Sequence, residues 1–566
     1  MSLHSPTAIL RNGLRFLVPL SLLLTAYLYL YPLFSTCAFP LPNADRHAAF
    51  LETAKLHLPN RNQTNDTAVI PSRLAPFRLL ALGDPQLEGD TSIPTDYLGV
   101  FPHAKALIQH VTFQSYHPSL RLRIRQTLHD LIDIAFEDIF NILESARKRI
   151  DLFGNDFYLA HIYRTLHWWT KPTHVTVLGD LVGSQWLDDA EFSRRATRFW
   201  TRVFRGAERV PDELALYPAD EYDLSGYLDN ATIPSPWSNR IINVAGNHDI
   251  GYAGDINTNR TARFEDAFGK INYELRFELP VSPETLSQTY DSATNPSSDR
   301  LVPELRIVVL NSMNLDTPAS EPALQDETYN FVNKIINTAA AVEFKGHYTV
   351  VLTHVPLYKP EGVCVDSPLF EFHEDGSLRE QNQLSLPASK GFLEGILGMS
   401  GDLNAPGQGK GRKGIILNGH DHEGCDTWHF MNQTSESEEK EWEVKRWKAA
   451  VKEGLVGQAQ APGTREITVR SMMGDFGGNA GLLSLWFDEE RWEWRSEYVS
   501  CPLGRQHFWW FVHILDVLVA VGIIVSVATS FLGLVGVDVD GIIVKSLTRL
   551  TCGKPVKAET MEKKEQ

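Results

Sequence analysis

The sequence predicts an α/β domain, with buried strands alternating with helices, carried between two apolar helices. Three observations predict it. Short runs rich in β-branched residues recur along the middle of the chain, and each stops at an Asp, Asn or His. Amphipathic stretches such as Leu120 to Phe153 separate these runs, and an uncharged apolar stretch stands near each end of the chain. Short apolar runs bounded by turn residues read as strands buried on both faces, and such strands occur in sheets covered by helices.

Taken in order, residues 1–15 carry Arg11 and Arg15 and lead into Phe16–Phe34, 19 residues without a charge. A stretch of about 20 apolar residues crosses a bilayer core. Two readings stay open: a retained anchor, or a signal segment cut where Ser35, Thr36 and Cys37 precede Ala38. Residues 35–75, with their Pro, Asn and Thr, read as a stem, and residues 76–500 as the main domain. Within that domain the polar, acidic segment 435–463 reads as an insertion. Strand patterns return over 465–500, with Gly474, Gly477, Gly478 and Gly481 at turns. The second membrane helix is expected over 508–537. Phe508, Trp509, Trp510 and Phe511 form its interfacial edge, and Asp516 and His513 read as interfacial too.

The tail 538–566 is basic, with Lys545, Arg549, Lys554, Lys557, Lys563 and Lys564. Basic flanks stay in the cytosol, so both ends are expected there and residues 38–507 in the lumen. The N-glycosylation sequons at Asn62, Asn65, Asn230, Asn259 and Asn432 all lie between the two helices. The terminal Lys563-Lys564-Glu565-Gln566 resembles a dilysine retrieval signal.

The formal charge of −17 on 566 residues excludes the broad basic face that nucleic-acid binding needs. Five cysteines are too few for a disulfide framework. Cys364, Cys425 and Cys501 fall in the expected lumenal part, and Cys364 with Cys425 is the expected pair.

Chemistry concentrates at the ends of the strand-like runs. Phe77–Gly83 ends at Asp84, His174–Gly179 at Asp180, Ile241–Gly246 at Asn247, Tyr348–Thr353 at His354, and Gly414–Gly419 at His420. With their neighbours these give Asp84-Pro-Gln86, Gly179-Asp180-Leu-Val-Gly183, Gly246-Asn-His-Asp249, Thr353-His354 and Gly419-His-Asp-His422. Carboxylates, imidazoles and amide oxygens together suit Mn²⁺, iron or Zn²⁺. Two such ions about 3.5–4 Å apart can clamp a phosphate and activate water. Each segment alone is a weak signal; their order, each behind an apolar run, is a strong one.

That ordered pattern resembles the calcineurin-like metallophosphoesterase superfamily, which implies a β-sandwich flanked by helices. The resemblance implies that Asp84 and His422 bind a first metal, Asp180 bridges, and Asn247, His354 and His420 bind a second. It also implies that His248 contacts the phosphate and protonates the leaving oxygen, with Asp249 orienting its imidazole. Gln86 stands where the superfamily carries His and is the seventh expected ligand, through its amide oxygen, which favours Mn²⁺ over softer ions. The stretches ALGDPQLEG, GNHDIGY, THVPLY and GHDHEGC are similar to a narrower, membrane-bound branch that remodels GPI anchors in the endoplasmic reticulum. The Asp-Pro-Gln form resembles its fungal members. This likeness implies removal of ethanolamine phosphate from a GPI mannose, two divalent ions (Mn²⁺), and GPI lipid or GPI-anchored proteins as substrate. It further implies p24-type cargo receptors and coat proteins as partners, with cycling to the early Golgi. Two other readings stay open: a lumenal phosphomonoesterase or nucleotide phosphodiesterase, and a non-catalytic cargo-sorting protein.

Overall fold

Among the described residues, sixteen strands in chain order carry the architecture. The first eight are β1 (Phe77–Leu82), β2 (His174–Val177), β3 (Glu208–Arg209), β4 (Gly226–Tyr227), β5 (Arg240–Asn243), β6 (Tyr273–Glu278), β7 (Glu304–Val309) and β8 (His347–Leu352). The others are β9 (Phe370–Phe372), β10 (Leu378–Gln381), β11 (Gly414–Asn418), β12 (Cys425–Met431), β13 (Trp442–Arg446), β14 (Gly463–Thr468), β15 (Asn479–Asp488) and β16 (Glu493–Pro502). The computed structural model describes residues 5–58, 74–89, 101–117, 119–216, 226–228, 236–281, 302–434 and 442–551. The sequons at Asn62, Asn65 and Asn230 and the Lys563-Lys564 pair lie outside the described residues.

The larger of two structural units, Pro32–Gln506, is a two-sheet α/β structure. One sheet has the order β16-β15-β1-β2-β5-β3 and the other β13-β12-β14-β11-β8-β7-β6-β4. In the first, β1, β2 and β5 run parallel; in the second, β7, β8, β11 and β14 do. Alternate residues of the two sheets share one apolar core. Phe77, Leu79, Ile242 and Leu483 come from one sheet, and Leu275, Ile307, Val350 and Ile415 from the other. Burial on both faces explains why these strands lack a polar alternation. A parallel pair needs a long crossover, and helices such as Asp189–Arg198, Pro322–Asn337 and Leu386–Leu397 supply it.

Several expected boundaries change. Residues 38–58 are no extended stem. Arg46–Lys55 is a helix capped by the Asp45 side chain, Ala38, Leu41 and Ala49 are buried together, and Trp169 donates its indole N–H to the Cys37 carbonyl. Part of the expected insertion is integral: β13 pairs antiparallel along β12, and Trp447–Lys452 forms a helix behind it. Residues 435–441 lie outside the described residues. Cys364 and Cys425 are bonded, as expected, and a second disulfide joins Cys37 to Cys501. Cleavage after Cys37 would discard that bridge, so the structure suits a retained first helix.

The smaller unit, Met1–Tyr31 with His507–Gln566, holds two helices long and apolar enough to cross a bilayer, Pro6–Tyr29 and Gln506–Leu534. A further helix, Val539–Thr551, occupies part of the expected tail. Asp516 is more than interfacial: its carboxylate accepts from Thr25 Oγ1 at 2.8 Å and from Ser21 on the facing helix. His513 meets Tyr29 at 3.1 Å, and Gly522 leaves room for Leu14. Hydrogen-bonded polar pairs and small residues are what hold apolar helices together where water cannot.

Candidate metal centre

The parallel strands of both sheets end on the same side, and the polar residues follow directly. Asp84 comes two residues after β1, and Asp180 three after β2. Asn247 lies four past β5, and His354 and His420 two past β8 and β11. Three couplings hold these loops in register: the Gln86 amide donates to the Asp180 carbonyl at 2.8 Å, Ser471 N–H to the His422 carbonyl at 3.1 Å, and Ser471 Oγ to the Asp84 carbonyl at 3.1 Å. Ser471, which no motif marked, therefore ties two of the loops together.

The turns are tight enough to strain the chain. Asp84, Gln86, Asp180 and His420 all have left-handed φ, at 46°, 41°, 51° and 73°. Such a conformation costs a non-glycine residue about 1–2 kcal/mol. Strain of this kind concentrates at functional sites. Glycine is needed beside these residues for a different reason, close approach: a Cβ at Gly179 would run into the His354 ring, and one at Gly246 into Asp180.

All seven expected ligand residues converge. Asp180, His354 and His420 offer ligand atoms within 4.8 Å of one another, and so do Asp84, Asp180 and His422, with Asp180 common to both groups. Asn247 Oδ1 lies 2.9 Å from His354 Nε2 beside the first group. The Gln86 amide nitrogen lies 3.0 Å from Asp180 Oδ2 and 3.1 Å from His422 Nε2 beside the second. Backbone carbonyls orient two imidazoles: His354 Nδ1 donates to Leu178 O at 2.8 Å, and His420 Nε2 to Gln381 O at 3.0 Å. Each ring thus presents its other nitrogen to the cluster, the usual outer support of a histidine ligand.

The residues fit a divalent cation on electrostatic grounds as well. Asp84 is fully buried, and its Oδ2 has no hydrogen-bond partner among the described residues. Burial, opposed by His354 and reinforced by Asp180, pushes Asp84 up to about 7. Burial alone would raise Asp180 too, but His248, His354 and His420 outweigh it and hold that carboxyl below its usual range. Burial would lower His354, yet Asp180 and Asp84 push it up to about 9. Burial and the neighbouring His354 take His420 down to about 3. Such strongly shifted neighbours in one cavity mark a candidate functional site, with Asp84 as the carboxylate a cation would complete.

One expected role changes. Asp249 does not orient His248. Its oxygens accept from the Val182 amide at 3.0 Å and the Gly246 amide at 2.8 Å, and His248 Nδ1 is without a hydrogen-bond partner among the described residues. The carboxylate is spent on fixing the loop behind Asp180, because those buried amides have no strand partner. Burial first, then Asp180, push Asp249 up to about 7. His248 itself faces the opening, with its Nε2 3.9 Å from Asp180 Oδ2.

A cavity of about 430 Å³ opens over Gln86, Asp180, Asn247, His248, His420 and His422. Its outer wall is made by Trp186, Tyr252, Asp366, Arg379, Glu380 and Asn382. The Cys364–Cys425 bridge anchors the loop carrying Asp366, and the β9–β10 hairpin carries Arg379 and Glu380. Sequence reasoning missed this wall because its residues follow no ligand-like spacing. The shared bridge of Cys364 to Cys425, three residues past His422, was the one available hint. Of the described sequons, Asn259 is exposed and Asn432 half-buried, its Oδ1 accepting from Thr434.

Fold and site together define an α/β protein with two helices apt to cross a membrane and a buried Asp/His cluster able to hold metal ions. No family model matches the chain. It is 34% identical to Protein TED1 of Saccharomyces cerevisiae over 409 residues, which is 65% of this chain and 76% of the yeast protein. It is 29% identical over 347 residues to the uncharacterized protein C23A1.02c of Schizosaccharomyces pombe, covering 59% of this chain and 63% of that protein. The chain belongs to the family of yeast Protein TED1.

Proposed function

We propose that this protein is a divalent-metal-dependent phosphodiesterase of the endoplasmic reticulum membrane, acting from the lumen on the ethanolamine phosphate of a GPI-anchor mannose. The observation that carries the reading is the pair of overlapping ligand groups sharing Asp180 at the floor of an open cavity. Two divalent ions, Mn²⁺ given the oxygen-rich Gln86 and Asn247, would supply Lewis acidity and an activated water. Asp84, Gln86, Asp180 and His422 would hold one ion, and Asp180, Asn247, His354 and His420 the other.

The chain's own residues do the rest. His248, on the open side of the cluster, is placed to hand a proton to the leaving oxygen, with no carboxylate pinning its Nδ1. Ser471 and Asp249 keep the ligand loops at fixed spacing. Asp366 and Glu380 give the wall a negative side that suits an ammonium, while Arg379 is turned to Glu371 at 3.8 Å. Two disulfides and exposed Asn259 support a lumenal setting. The resemblance adds p24-type receptors and coat proteins as expected partners and Lys563-Lys564 as a retrieval signal.

The test is the structure of GPI glycans in cells lacking the protein, rescued with wild type or Asp180→Asn. Persistence of an extra ethanolamine phosphate that wild type alone removes supports the reading. Unchanged glycans would remove the GPI assignment, and equal rescue by Asp180→Asn would remove catalysis.

A further inference from the structure

Between the first two ligand loops the chain makes a helical excursion: Pro102–Val111, Leu120–Asp133, a π-turn at Ile134–Asp138, and the first half of Ile139–Thr170. Each of the first two is amphipathic, and the sequence suggested this for the second, within Leu120 to Phe153. Their packing runs opposite to that of a water-soluble bundle. Among the described residues 101–151, the buried side chains are all polar: His110, Asp130, Asp138 and Ser145. His110, Asp130 and Asp138 join one helix to another. His110 Nε2 lies 3.1 Å from Asp130 Oδ2, and His103 Nδ1 3.0 Å from Asp138 Oδ1. Asp138 also accepts the Ala104 amide at 3.0 Å, and Arg123 donates to the Ser115 carbonyl at 2.8 Å.

The apolar residues point outward instead. Phe136 is 77% exposed, Leu143 63%, Leu120 62% and Ile108 60%, and Leu128, Ile132 and Phe140 are exposed beside them. A surface of this size on a water-facing domain would be a liability. Polar groups paired inside and apolar groups outside is the arrangement that lipid imposes. The exposed charges agree: Lys105, Arg121, Arg125, Arg147 and Arg149 against Glu137, in a chain of net charge −17.

We propose that the helical excursion of residues 102–151 is a membrane-seated element, with its outward Leu, Ile and Phe side chains in the acyl region and its exposed arginines among anionic headgroups. Leu120–Thr170 is helical throughout, but charges recur along it at Arg121, Arg125, Glu137, Arg147 and Arg149, so it lies along one leaflet rather than crossing the bilayer. The occupant is lipid rather than a protein groove, because the apolar surface wraps several helices and is rimmed by cations. The proposal goes beyond the phosphodiesterase reading and does not depend on it; the chain on either side of the larger unit continues into the two apolar helices.

The test uses the full chain with Cys552→Ser in lipid nanodiscs, its other cysteines being held in disulfides. A single cysteine at Phe136→Cys or Leu143→Cys carries an environment-sensitive fluorophore, and Glu490→Cys on the exposed β15–β16 turn serves as control. Acyl-chain nitroxide lipids should quench the labels at 136 and 143 at least about twofold more than the label at 490. Adding Ile132→Asp and Phe140→Asp should return the label at 136 to the control value. Quenching equal at all three sites overturns the proposal. So does a photo-crosslinker at 136 that captures protein and no lipid.

Discussion

Beneath the loops that follow β8 and β11, the protein buries two groups of charge and completes only one of them. Glu466 on β14 has both oxygens matched. Oε1 accepts from the Leu357 amide at 2.8 Å and Asn418 Nδ2 at 2.7 Å; Oε2 meets Lys359 Nζ at 2.9 Å and His429 Nε2 at 2.6 Å. Burial alone would raise this carboxyl, yet Lys359 and His429 hold it below the ordinary range. Asp84 is buried as deeply, has an unpartnered oxygen, and rises to about 7. In one cluster a lysine of the chain balances the buried carboxylate; in the other His354 offsets only part of the buried negative charge, and the residues left could hold a cation. The complete cluster also clamps Asn418 and Leu357, the neighbours of His420 and His354, so a rigid pair supports an unfinished one.

The sharpest way to break this contrast is Glu466→Gln. Stranding Lys359 in the core should cost about 3–5 kcal/mol. Denaturant unfolding should register that loss, while Lys359→Met with Glu466→Leu should recover most of it. A loss under about 1 kcal/mol for Glu466→Gln would show that the pair is not what holds these loops.

Asp180→Asn should act oppositely, sparing the fold and lowering metal-dependent phosphodiester hydrolysis by more than the about 10–100-fold typical of outer-shell changes. Activity within tenfold of wild type would exclude Asp180 as the shared ligand.

The two clusters also predict opposite pH effects in chelator-treated protein. Asp84 and Asp249 have folded values raised to about 7, so the folded state binds more protons than the unfolded one between about 4 and 7. Stability from these groups therefore falls as pH rises through that window. Glu466 has a lowered folded value, so its stabilisation is present above the ordinary glutamate pKa of about 4.3 and is lost as pH falls below it. The expected result is a melting temperature highest near mildly acidic pH without metal, with the neutral-side loss removed by Mn²⁺. A flat chelated profile from pH 5 to about 7.5 would contradict the uncompensated cluster.

The smallest effect is expected from Gln86→His. The amide already faces Asp180 and His422, so an imidazole there should keep activity within about tenfold and shift preference toward Zn²⁺. An unchanged metal ranking would mean that residue 86 does not touch the ion.

Much of the site was legible because its residues follow immediately from strand ends. A buried β-branched run that stops at Gly-Asp or Gly-His carries its own position, since a parallel strand delivers its C-terminal residue to one edge of the sheet. The left-handed backbone at Asp84, Asp180 and His420 was not legible, because nothing in an aspartate or histidine announces a positive φ. Asp249 was misread for a related reason: GNHD places it beside His248 in sequence, but a carboxylate facing buried amides satisfies those first. Cys37 was missed as a disulfide partner because its position beside an apolar helix suggested a cleavage site, whereas its mate lies 464 residues away.

By itself, the sequence determined the strand-end residues, the two apolar helices and the amphipathic character of residues 120–153, because each is a local pattern of residue type and spacing. Only the tertiary structure decided which ligands share Asp180, which imidazole nitrogen faces the cluster, and that the apolar face of the helical excursion turns outward. Periodicity says that a helix has two faces. Which face meets water, protein or lipid depends on what packs against it, and that is a property of distant residues brought together.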